Sequence, residues 1–427
     1  ETVRRAGAGR IIVVVGHQAE EVKAACAGLD VEFVLQPEQL GTGHAVAQTE
    51  PLLAHHNGPV LVTYGDTPLF RPQTIADLLE RHQQSGAAAT VLSAVVEDPT
   101  GYGRIVRDGD TGRFLRIVEQ KDASEAEAAI REINSGTYCF DAPSLFAALR
   151  EVRPVNAQGE YYLTDVLSVL ARSGKPVQVV VARDAREVLG VNNRVELAQA
   201  EAILRRRIVE EWMLAGVTVV DPDTVYIDPQ AVLKEDAVIL PFTFIRGRSV
   251  IGEDARVGPH AEIEDSEIGA GAVVERAVVR GSRVGPGCTV GPFAYLRPGT
   301  VLEAGAKAGT FVEIKKSVVG PGSKVPHLTY LGDATVGRDV NIGAGTITCN
   351  YDGFGKYPTF IEDGAFIGSN TNLVAPVRVG AGAYTGAGST ITRDVPPGAL
   401  ALERADQRVI EGWAATKRQK SKPQEAP

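Results

Sequence analysis

Two segments in the first half of the sequence carry residue types that could bind a metal ion or a nucleotide. Tyr64-Gly65-Asp66 ends an apolar run, and a hard carboxylate there suits Mg²⁺ and phosphate, although a helix N-cap or turn is an equally valid role. Residues 36–44, QPEQLGTGH, form a polar, Gly-containing turn suited to hydrogen bonding a base or a phosphate. Residues 6–10, AGAGR, precede a predicted strand instead of following one, so we interpret them as a helix end and a turn.

In the second half, two stretches concentrate cationic, polar and aromatic residues. They are residues 312–334, VEIKKSVVGPGSKVPHLTYLGDA, and residues 347–360, ITCNYDGFGKYPTF. Each interrupts a regular repeat, and repeat proteins accommodate insertions as loops on one face, which is often the binding face. Both stretches are therefore candidate parts of a functional site.

The repeat itself consists of aliphatic positions at six-residue spacing, with occasional slips, and Gly often follows them. The repeating positions are Ile251, Val257, Ile263, Ile268, Val284, Val290, Leu296, Leu302, Val336, Ile342, Ile367, Leu373, Val379, Thr385 and Ile391. A six-residue period matches neither the 3.6-residue period of an α-helix nor the alternation of an ordinary strand. It is typical of a parallel β-helix whose flat sides each turn one aliphatic residue inward, with Gly at the corners.

The composition agrees with this interpretation. Only 6% of the residues are aromatic, as expected for a narrow aliphatic core. In contrast, Gly is abundant, with 46 of the 427 residues. A flexible Gly-rich linker would not keep aliphatic residues in phase over more than a hundred positions. The glycines therefore predict a rigid solenoid.

Residues 1–195 alternate between predicted strands and helices. The strands are expected at residues 11–15, 31–35, 60–64, 89–95, 114–118 and 177–181, and the helices at residues 19–27, 42–48, 73–85 and 162–172. This order predicts a largely parallel α/β sheet of Rossmann-like type, which binds ligands at the carboxyl ends of its strands. A long helix over residues 193–214 is expected to connect the sheet domain to the solenoid.

Length and charge narrow the class of protein further. A chain of 427 residues is long enough for two or three domains. The four cysteines lie far apart, no apolar run could span a bilayer, and the start, ETVRRAGAGR, lacks the apolar core of a signal peptide, so a cytoplasmic protein is predicted. The net charge of -9 argues against nucleic-acid binding, and no membrane partner is expected.

Together the segments resemble a family of bifunctional bacterial enzymes, in which an N-acetylglucosamine-1-phosphate uridylyltransferase is joined to a glucosamine-1-phosphate N-acetyltransferase. The similarity covers about residues 1–413, and its motifs include VLQPEQLGTGHAV, YGDTPL, EINSGTY, NAQGEYYLTD, GPFAYLRPGT, HLTYLGDA and NIGAGTITCNYDG. The resemblance implies a nucleotidyltransferase-like sheet domain, a left-handed parallel β-helix of hexapeptide repeats and a homotrimer. It also implies synthesis of UDP-N-acetylglucosamine for cell-wall peptidoglycan and lipopolysaccharide, and hence a role in cell shape.

Carried over residue by residue, the resemblance assigns contacts with UTP and the sugar nucleotide to the first half. These residues are Gln36, Gly41, Thr42, Tyr64, Gly65, Asp66, Gly103, Glu119, Asn134 and Asn192. Asp66 and Asn192 would hold Mg²⁺, which offsets charge while the sugar phosphate attacks the α-phosphorus of UTP and pyrophosphate leaves.

The sequence departs from the family pattern at its start. The family opens with a strand and a Gly-rich loop carrying an Arg and, further on, a Lys, which contact the nucleotide phosphates, whereas this chain begins with Glu in what should be the first helix. Roughly forty residues are therefore expected to be missing by comparison with the family. From this departure, uridylyl transfer by the chain as written is expected to be poor or absent.

For the second half, the resemblance implies acetyl transfer from acetyl-CoA to glucosamine-1-phosphate. The sugar amine is largely protonated near pH 7, so a general base is required, and His327 is the candidate because histidine ordinarily titrates near pH 6.5. The sugar-phosphate contacts would be Arg297, Lys315, Tyr330, Asn341 and Lys356, and the acetyl-CoA contacts Ala344, Asn350, Tyr351, Ser369, Ala387 and Arg404. A backbone amide or Asn350 could stabilise the thioester oxyanion.

His327 and Asn350 are about one coil apart in sequence, so they are expected on different faces of the solenoid. A site completed by a neighbouring subunit resolves this separation, as the homotrimer of the family implies. The predicted organisation is a uridylyltransferase domain at residues 1–195 without its first strand and Gly-rich loop, a linker helix at 196–216, an acetyltransferase β-helix at 217–404 and a solvated, disordered tail at 405–427.

Two other interpretations compete with the bifunctional enzyme. One is a single-activity sugar-phosphate nucleotidyltransferase whose β-helix is only structural, and the other is a noncatalytic solenoid scaffold. Both leave His327 and the polar stretch at residues 347–360 without a purpose, because a structural coil has no use for a base beside clustered cations.

Overall fold

The computed structural model describes residues 2–420, and the chain divides into two compact units. The first unit extends to Leu204 and the second begins at Arg205. The division falls inside the helix Arg194–Leu214, where residues 193–214 predict one long helix. In the described part of the chain, no helix is long and apolar enough to cross a membrane.

The first unit is an α/β domain with a mixed six-stranded sheet and a separate two-stranded sheet, which Ile12–Val15 and Glu32–Leu35 form. Its strands are Ile12–Val15, Glu32–Leu35, Pro59–Val62, Ala89–Val95, Arg104–Arg107, Phe114–Val118, Glu132–Asp141 and Val177–Val181. Its helices are Thr2–Arg5, Ala19–Ala25, Thr42–Ala47, Glu50–Leu53, Pro72–Ser85, Glu125–Ala128, Ala142–Leu149 and Thr164–Arg172, with a 3-10 turn at Ala185–Val188. A helix end and a turn occupy the early AGAGR segment, as predicted.

The prediction of a largely parallel sheet is wrong. Among the described strands of this unit, two pairs are parallel, Ile12–Val15 with Glu32–Leu35 and Ala89–Val95 with Val177–Val181, and the other pairs are antiparallel. The strand Glu132–Asp141, which the sequence analysis did not predict, lies at the centre of the sheet and pairs antiparallel with three others. Asn134, Ser135 and Gly136 interrupt its apolar pattern, and Gly136 has a φ of 74°, so the segment has the local signals of a turn.

The second unit is a triangular parallel β-helix of three sheets, in which every third strand belongs to the same sheet. Sheet 1 contains Thr218–Val219, Val238–Ile239, Arg256–Val257, Val273–Val274, Thr289–Val290, Lys307–Thr310, Lys324–His327, Asn341–Ile342, Phe366–Ile367, Tyr384–Thr385 and Leu400–Ala401. Sheet 2 contains Tyr226–Ile227, Phe244–Arg246, Glu262–Glu264, Val278–Arg280, Tyr295–Leu296, Glu313–Lys315, Tyr330–Gly332, Ile347–Cys349, Asn372–Val374 and Thr390–Ile391. Sheet 3 contains Val232–Leu233, Val250–Ile251, Glu267–Ile268, Arg283–Val284, Val301–Leu302, Val318–Val319, Ala334–Val336, Thr359–Ile361 and Val377–Val379.

The core of the solenoid is the aliphatic repeat. Each of the fifteen repeating positions is at least 96% buried, and the inner columns of the three sheets meet in one continuous cluster. Burying one Val, Leu or Ile side chain stabilises a fold by about 1.5–3 kcal/mol. The repeated burial therefore holds the outward residues of successive strands in fixed register, which is what a surface site requires.

The corner between sheets 1 and 2 carries large side chains in an unusual backbone conformation. Phe293, Phe311 and Leu328 have φ values of 60°, 57° and 45°, in the left-handed region that Gly normally occupies. Their side chains are 56%, 58% and 61% exposed, and the two phenylalanine rings stack with centroids 5.4 Å apart. This corner forms an exposed apolar ridge.

The chain after the last coil is only partly irregular. Residues 405–412 have no regular structure, whereas Trp413–Lys420 is a helix, so disorder was the wrong prediction for that stretch. The rest of the predicted tail, residues 421–427, lies outside the described residues.

Candidate functional site

His327 is the last residue of a strand in sheet 1, beside the apolar ridge. It pairs in register with Thr310 on the preceding coil, and Leu328 then turns the chain into sheet 2. Its backbone carbonyl accepts a hydrogen bond of 2.7 Å from Thr329 Oγ1, which fixes the turn. The side chain is exposed, and no described residue hydrogen-bonds its imidazole, so the ring is accessible to a ligand.

Four of the predicted acetyl-CoA contacts form a column on the coils that follow His327. Lys324 pairs with Asn341, and Gly345 N donates to the Leu328 carbonyl at 3.0 Å, so Ala344 lies on the coil next to His327, just beyond the strand Asn341–Ile342. The carbonyl of Ala344 accepts from Asn370 N at 2.7 Å, and that of Ser369 accepts from Gly388 N at 2.8 Å, which stacks Ala344, Ser369 and Ala387 on successive coils. Arg404 Nη1 donates to the Ala387 carbonyl at 2.9 Å and ends the column.

The predicted phosphate contacts lie along the opposite edge of sheet 2. The register of the strands aligns Arg297 with Lys315. Arg297 Nη1 is 2.9 Å from Glu313 Oε1, and this hydrogen bond raises the pKa of Arg297. Lys315 is 9% exposed, and its Nζ lies 3.4 Å from Asp333 Oδ2. Both cations therefore have a carboxylate partner with which a phosphate would compete.

Lys356 comes to the same edge from the loop at residues 350–357. Asp352 Oδ1 accepts from Phe354 N and Gly355 N at 2.9 and 2.7 Å, and Tyr357 N donates to the Asn350 carbonyl at 2.9 Å, so the loop is closed on itself. The two amines are in contact, and the Lys315 ammonium lowers the pKa of the exposed Lys356. Two cations in contact favour a bound dianion such as a phosphate.

Gly332 makes room where these groups meet. A Cβ at this position would lie 2.5 Å from Asn350 Nδ2 and closer still to Tyr330 Oη. Asn350 Nδ2 donates to Asp333 Oδ2 at 2.5 Å, so Tyr330, Asn350 and Asp333 all surround Gly332. Neither Gly332 nor Asp333 was predicted as a site residue, although both belong to the HLTYLGDA motif.

The structure does not bring all predicted acetyltransferase residues together within one chain. Asn341 lies on sheet 1, whereas Lys315 ends a strand of sheet 2 and Lys356 lies in the loop between Ile347–Cys349 and Thr359–Ile361. Asn350 and Tyr351 follow the strand Ile347–Cys349, whereas Ala344 precedes it, so these predicted acetyl-CoA contacts occupy opposite edges of sheet 2. His327 and Asn350 likewise belong to different edges.

In the first unit, a buried tyrosine connects three of the predicted nucleotide contacts. Tyr138 is fully buried, and its hydroxyl accepts from Asn134 Nδ2 at 2.8 Å. The Tyr64 hydroxyl hydrogen-bonds to both Tyr138 and Thr42, and burial raises the pKa of Tyr64 above its ordinary value. Gly136 leaves room for the Tyr64 ring, since a Cβ there would lie 2.5 Å from Tyr64 Cδ2.

The Gln36 turn packs against the segment at residues 160–163. Gln36 Nε2 donates to the Gly41 carbonyl at 3.1 Å, and Thr42 Oγ1 accepts from Leu163 N at 3.0 Å. Gly41 has a φ of 111°, and a Cβ there would lie 2.7 Å from the Tyr161 carbonyl, so a side chain would not fit. These contacts hold the turn at the start of the helix Thr42–Ala47.

Glu119 lies beside Gly103, which in turn hydrogen-bonds to Asn134. Thr164 Oγ1 donates to Glu119 Oε1 at 3.2 Å, and burial raises the pKa of this carboxyl. A Cβ on Gly103 would lie 3.2 Å from Glu119 Oε2, and the Gly103 carbonyl accepts from Asn134 N at 2.8 Å. A substrate with hydroxyl groups would find an acceptor and an amide here.

The two predicted metal ligands are adjacent. The backbone carbonyl of Asp66 accepts a 2.8 Å hydrogen bond from Val191 N, which brings the next residue, Asn192, close to Asp66. Gly65 and the side chains of Asp66 and Asn192 are exposed. Carboxylate and amide oxygens are the donors that Mg²⁺ takes, so the residues fit this ion. Within residues 2–420 there is no group of three or more His, Cys, Asp or Glu side chains arranged for a metal.

The fold and these two groups of residues define a nucleotidyltransferase domain joined to a hexapeptide-repeat transferase. The nucleotidyl transferase family model matches residues 1–213, and the model for six bacterial transferase hexapeptide repeats matches residues 358–393. The chain is 57% identical to the bifunctional protein GlmU of Heliobacterium modesticaldum over 411 residues, which are 96% of this chain and 89% of the relative.

Similarity of the same extent is found in other bacteria. GlmU of Desulfitobacterium hafniense strain DCB-2 is 50% identical over 420 residues, 98% of this chain and 91% of the relative. GlmU of Syntrophomonas wolfei is 52% identical over 408 residues, 96% of this chain and 90% of the relative. The chain therefore belongs to the bifunctional GlmU family, and the resemblance recognised in its motifs is confirmed, as is the left-handed β-helix that it implied.

Proposed function

We propose that the solenoid transfers an acetyl group from acetyl-CoA to the amine of glucosamine-1-phosphate, with His327 as the general base. Family membership also supports uridylyl transfer from UTP to N-acetylglucosamine-1-phosphate by the first unit, giving UDP-N-acetylglucosamine and pyrophosphate. Poor transfer by the chain as written stays a prediction. Two activities in one chain are what family membership supports, so the single-activity alternative with a purely structural β-helix is not favoured.

The observation that carries the acetyltransferase proposal is the position of His327 at the foot of the Ala344, Ser369 and Ala387 column. Acetyl-CoA lying along that column, with a phosphate near Arg404, directs its thioester towards the imidazole. The sugar ammonium first loses one proton to solvent, and the free amine then attacks the thioester carbonyl. The imidazole takes the second proton from the attacking nitrogen and passes it to the coenzyme thiolate as that group leaves. Such a base contributes about 10²- to 10⁴-fold in rate.

Lys315 and Lys356 bind the sugar phosphate in this proposal, with Arg297 as a third cation. Their contact in the free protein supports the role, because a dianion between them removes the repulsion that lowers the pKa of Lys356. Tyr330 and Asn341 would hydrogen-bond the sugar hydroxyls. Asn350 and Tyr351 would contact acetyl-CoA from the other edge of sheet 2.

We infer that the active protein is a homotrimer whose sites are shared between subunits. The separation of His327 from Asn350 and Tyr351 on opposite edges of sheet 2 supports this, because one chain does not surround a substrate. The apolar ridge of Phe293, Phe311 and Leu328 continues directly into His327. A second copy of the chain would cover the ridge and bring its own Asn350 loop to that histidine.

For uridylyl transfer, Gln36, Thr42 and Tyr64 are proposed to bind the nucleotide, with Gly41 and Gly65 allowing close approach. Glu119, Asn134 and Gly103 would contact the sugar. Asp66 and Asn192 would hold Mg²⁺, which supplies positive charge to the phosphate oxygens when bound. All four cysteines are unpaired, which agrees with the predicted cytoplasmic location.

The test is an acetyl-transfer assay that compares acceptors. Thiol release from acetyl-CoA is followed with glucosamine-1-phosphate or with glucosamine, and the product is identified by mass spectrometry. The proposal expects N-acetylglucosamine-1-phosphate, and a kcat/KM at least about 100-fold lower for glucosamine, because the lysine pair then has no anion to bind. Equal use of both acceptors, or no thiol release, would contradict it.

A further inference from the structure

The clearest cluster without an assigned role surrounds Asp333. Its carboxylate oxygen Oδ2 contacts side chains from two neighbouring coils, Lys315 Nζ at 3.4 Å and Asn350 Nδ2 at 2.5 Å. The first is a proposed sugar-phosphate contact and the second a proposed acetyl-CoA contact. Asp333 is thus the one carboxylate, among the contacts described above, that joins the two substrate groups.

The position of this carboxylate is set by the backbone. Asp333 N donates to the Lys315 carbonyl at 3.0 Å, and the Asp333 carbonyl accepts from Thr359 N at 3.2 Å. Its φ of 50° lies in the left-handed region, which Asp, Asn and Gly adopt more readily than other residues. The side chain is consequently held at the corner after Gly332, facing the site.

The hydrogen bond also determines how Asn350 is oriented. An ionised carboxylate only accepts hydrogen bonds, so the Asn350 amide must turn Nδ2 towards Asp333. Its Oδ1 then points away from Asp333 as a free acceptor, and one N–H of Nδ2 remains available. Asn350 can therefore accept a hydrogen bond from a substrate N–H. An amide without this contact would rotate and present its oxygen to the substrate only part of the time.

At Lys315 the carboxylate balances charge. Lys315 and Lys356 repel each other, and the Asp333 anion lies against the first of them. Without that anion the two ammonium groups would separate, and Lys315 would lose its fixed position at the end of the strand Glu313–Lys315.

We propose that Asp333 is a positioning residue of the acetyltransferase site, which fixes the amide of Asn350 for acetyl-CoA and the ammonium of Lys315 for the sugar phosphate. The proposal rests on the function proposed above and assigns a residue that the predicted contacts do not include. Asp333 itself touches neither substrate.

The test uses two substitutions that both tolerate the left-handed backbone. Asp333→Asn keeps an oxygen acceptor for Asn350 but removes the charge beside Lys315, whereas Asp333→Gly removes both contacts. We expect Asp333→Asn to raise the KM for glucosamine-1-phosphate about tenfold and to leave that for acetyl-CoA within about twofold. Asp333→Gly should raise both KM values about tenfold.

Asp339 provides the matched control. It has a φ of 53°, and its N donates to the Pro321 carbonyl at 3.0 Å, as Asp333 N does to Lys315, but none of its contacts involves a proposed site residue. Asp339→Asn and Asp339→Gly should leave both KM values unchanged. Melting curves of all four variants show whether each is folded, and Asp333→Asn alone is sufficient if the glycine variant does not fold.

Two results would overturn the proposal. One is that Asp333→Asn leaves both KM values within about twofold of the wild type, and the other is that it raises both equally. A wild-type chain without acetyl transfer would contradict the proposed function instead. In that event, the affinities for coenzyme A and glucosamine-1-phosphate are measured by calorimetry. Asp333→Asn must then weaken the binding of glucosamine-1-phosphate but not that of coenzyme A, and equal affinities in wild type and variants would refute the role of Asp333.

Discussion

Replacing Gly332 by Ala separates the geometry of the acetyltransferase site from the stability of the solenoid. The added Cβ would lie 2.5 Å from Asn350 Nδ2 and nearer to Tyr330 Oη, whereas ordinary contact begins at 3.4 Å. Both groups must therefore move by roughly 0.9 Å or more. They are the far ends of side chains and can move, so the fold should lose less than about 1 kcal/mol.

The expected loss is in activity. A misplacement of about 1 Å at a positioning group can cost about 100-fold in rate, so kcat/KM for acetyl transfer should fall by about that factor. The assay is thiol release from acetyl-CoA with glucosamine-1-phosphate as acceptor, with the melting temperature measured in parallel. The arrangement around Gly332 would then be responsible for activity and not for folding.

Gly252→Ala is the matched control. A Cβ there would lie 2.7 Å from Ala270 N and 2.8 Å from the Gly269 carbonyl carbon, which are backbone atoms that cannot swing away. This variant should lose about 1–3 kcal/mol of stability and keep its kcat/KM well below its melting temperature. Wild-type activity in Gly332→Ala, or equal activity losses in the two variants, would refute the reasoning.

Three further predictions follow from the two sites. Mixing His327→Ala and Tyr351→Ala chains should restore acetyl transfer if subunits share sites, and no recovery from refolded mixtures would contradict sharing. Lys356→Arg should move the alkaline limb of the kcat/KM profile to higher pH. The pKa of Lys356 is lowered, so its ammonium loses its proton and its attraction for the phosphate as the pH rises, whereas a guanidinium stays charged. An alkaline limb at the same pH in both proteins would contradict this prediction. Tyr138→Phe should weaken the binding of UDP-N-acetylglucosamine, measured by calorimetry, about tenfold. Tyr162→Phe is the control and should not weaken it, because the Tyr162 hydroxyl has no partner among the described residues. Equal effects of the two substitutions would refute the role of Tyr138.

The solenoid could be predicted from sequence because each coil repeats the same physical requirement. Ile251, Val257 and Ile263 must each fill the same narrow interior, so the period of six is visible without any comparison. The sheet domain has no such repetition. The strand Glu132–Asp141 is buried on both faces and contains Asn134 and Gly136, so neither alternation nor an apolar run identified it.

The site residues divide in a similar way. His327, Lys315 and Lys356 were identified through motifs, and their types explain the proposed chemistry. Asp333 was missed because its contacts come from coils 17 and 18 residues away, which only the register of the sheets brings together. The requirement for Gly332 likewise depends on side chains of neighbouring strands.

The most direct test of the account compares the wild-type chain with His327→Ala in acetyl transfer to glucosamine-1-phosphate. The exposed imidazole of His327 supports no part of the core, so the variant should fold normally and lose about 10²- to 10⁴-fold in kcat. His260→Ala is the control, because His260 is also exposed at the corner between sheets 1 and 2 but lies four coils before the site, where it stacks on Phe242 with ring centroids 4.8 Å apart. The account predicts that only His327→Ala loses activity, and equal rates for the wild type and His327→Ala would contradict it.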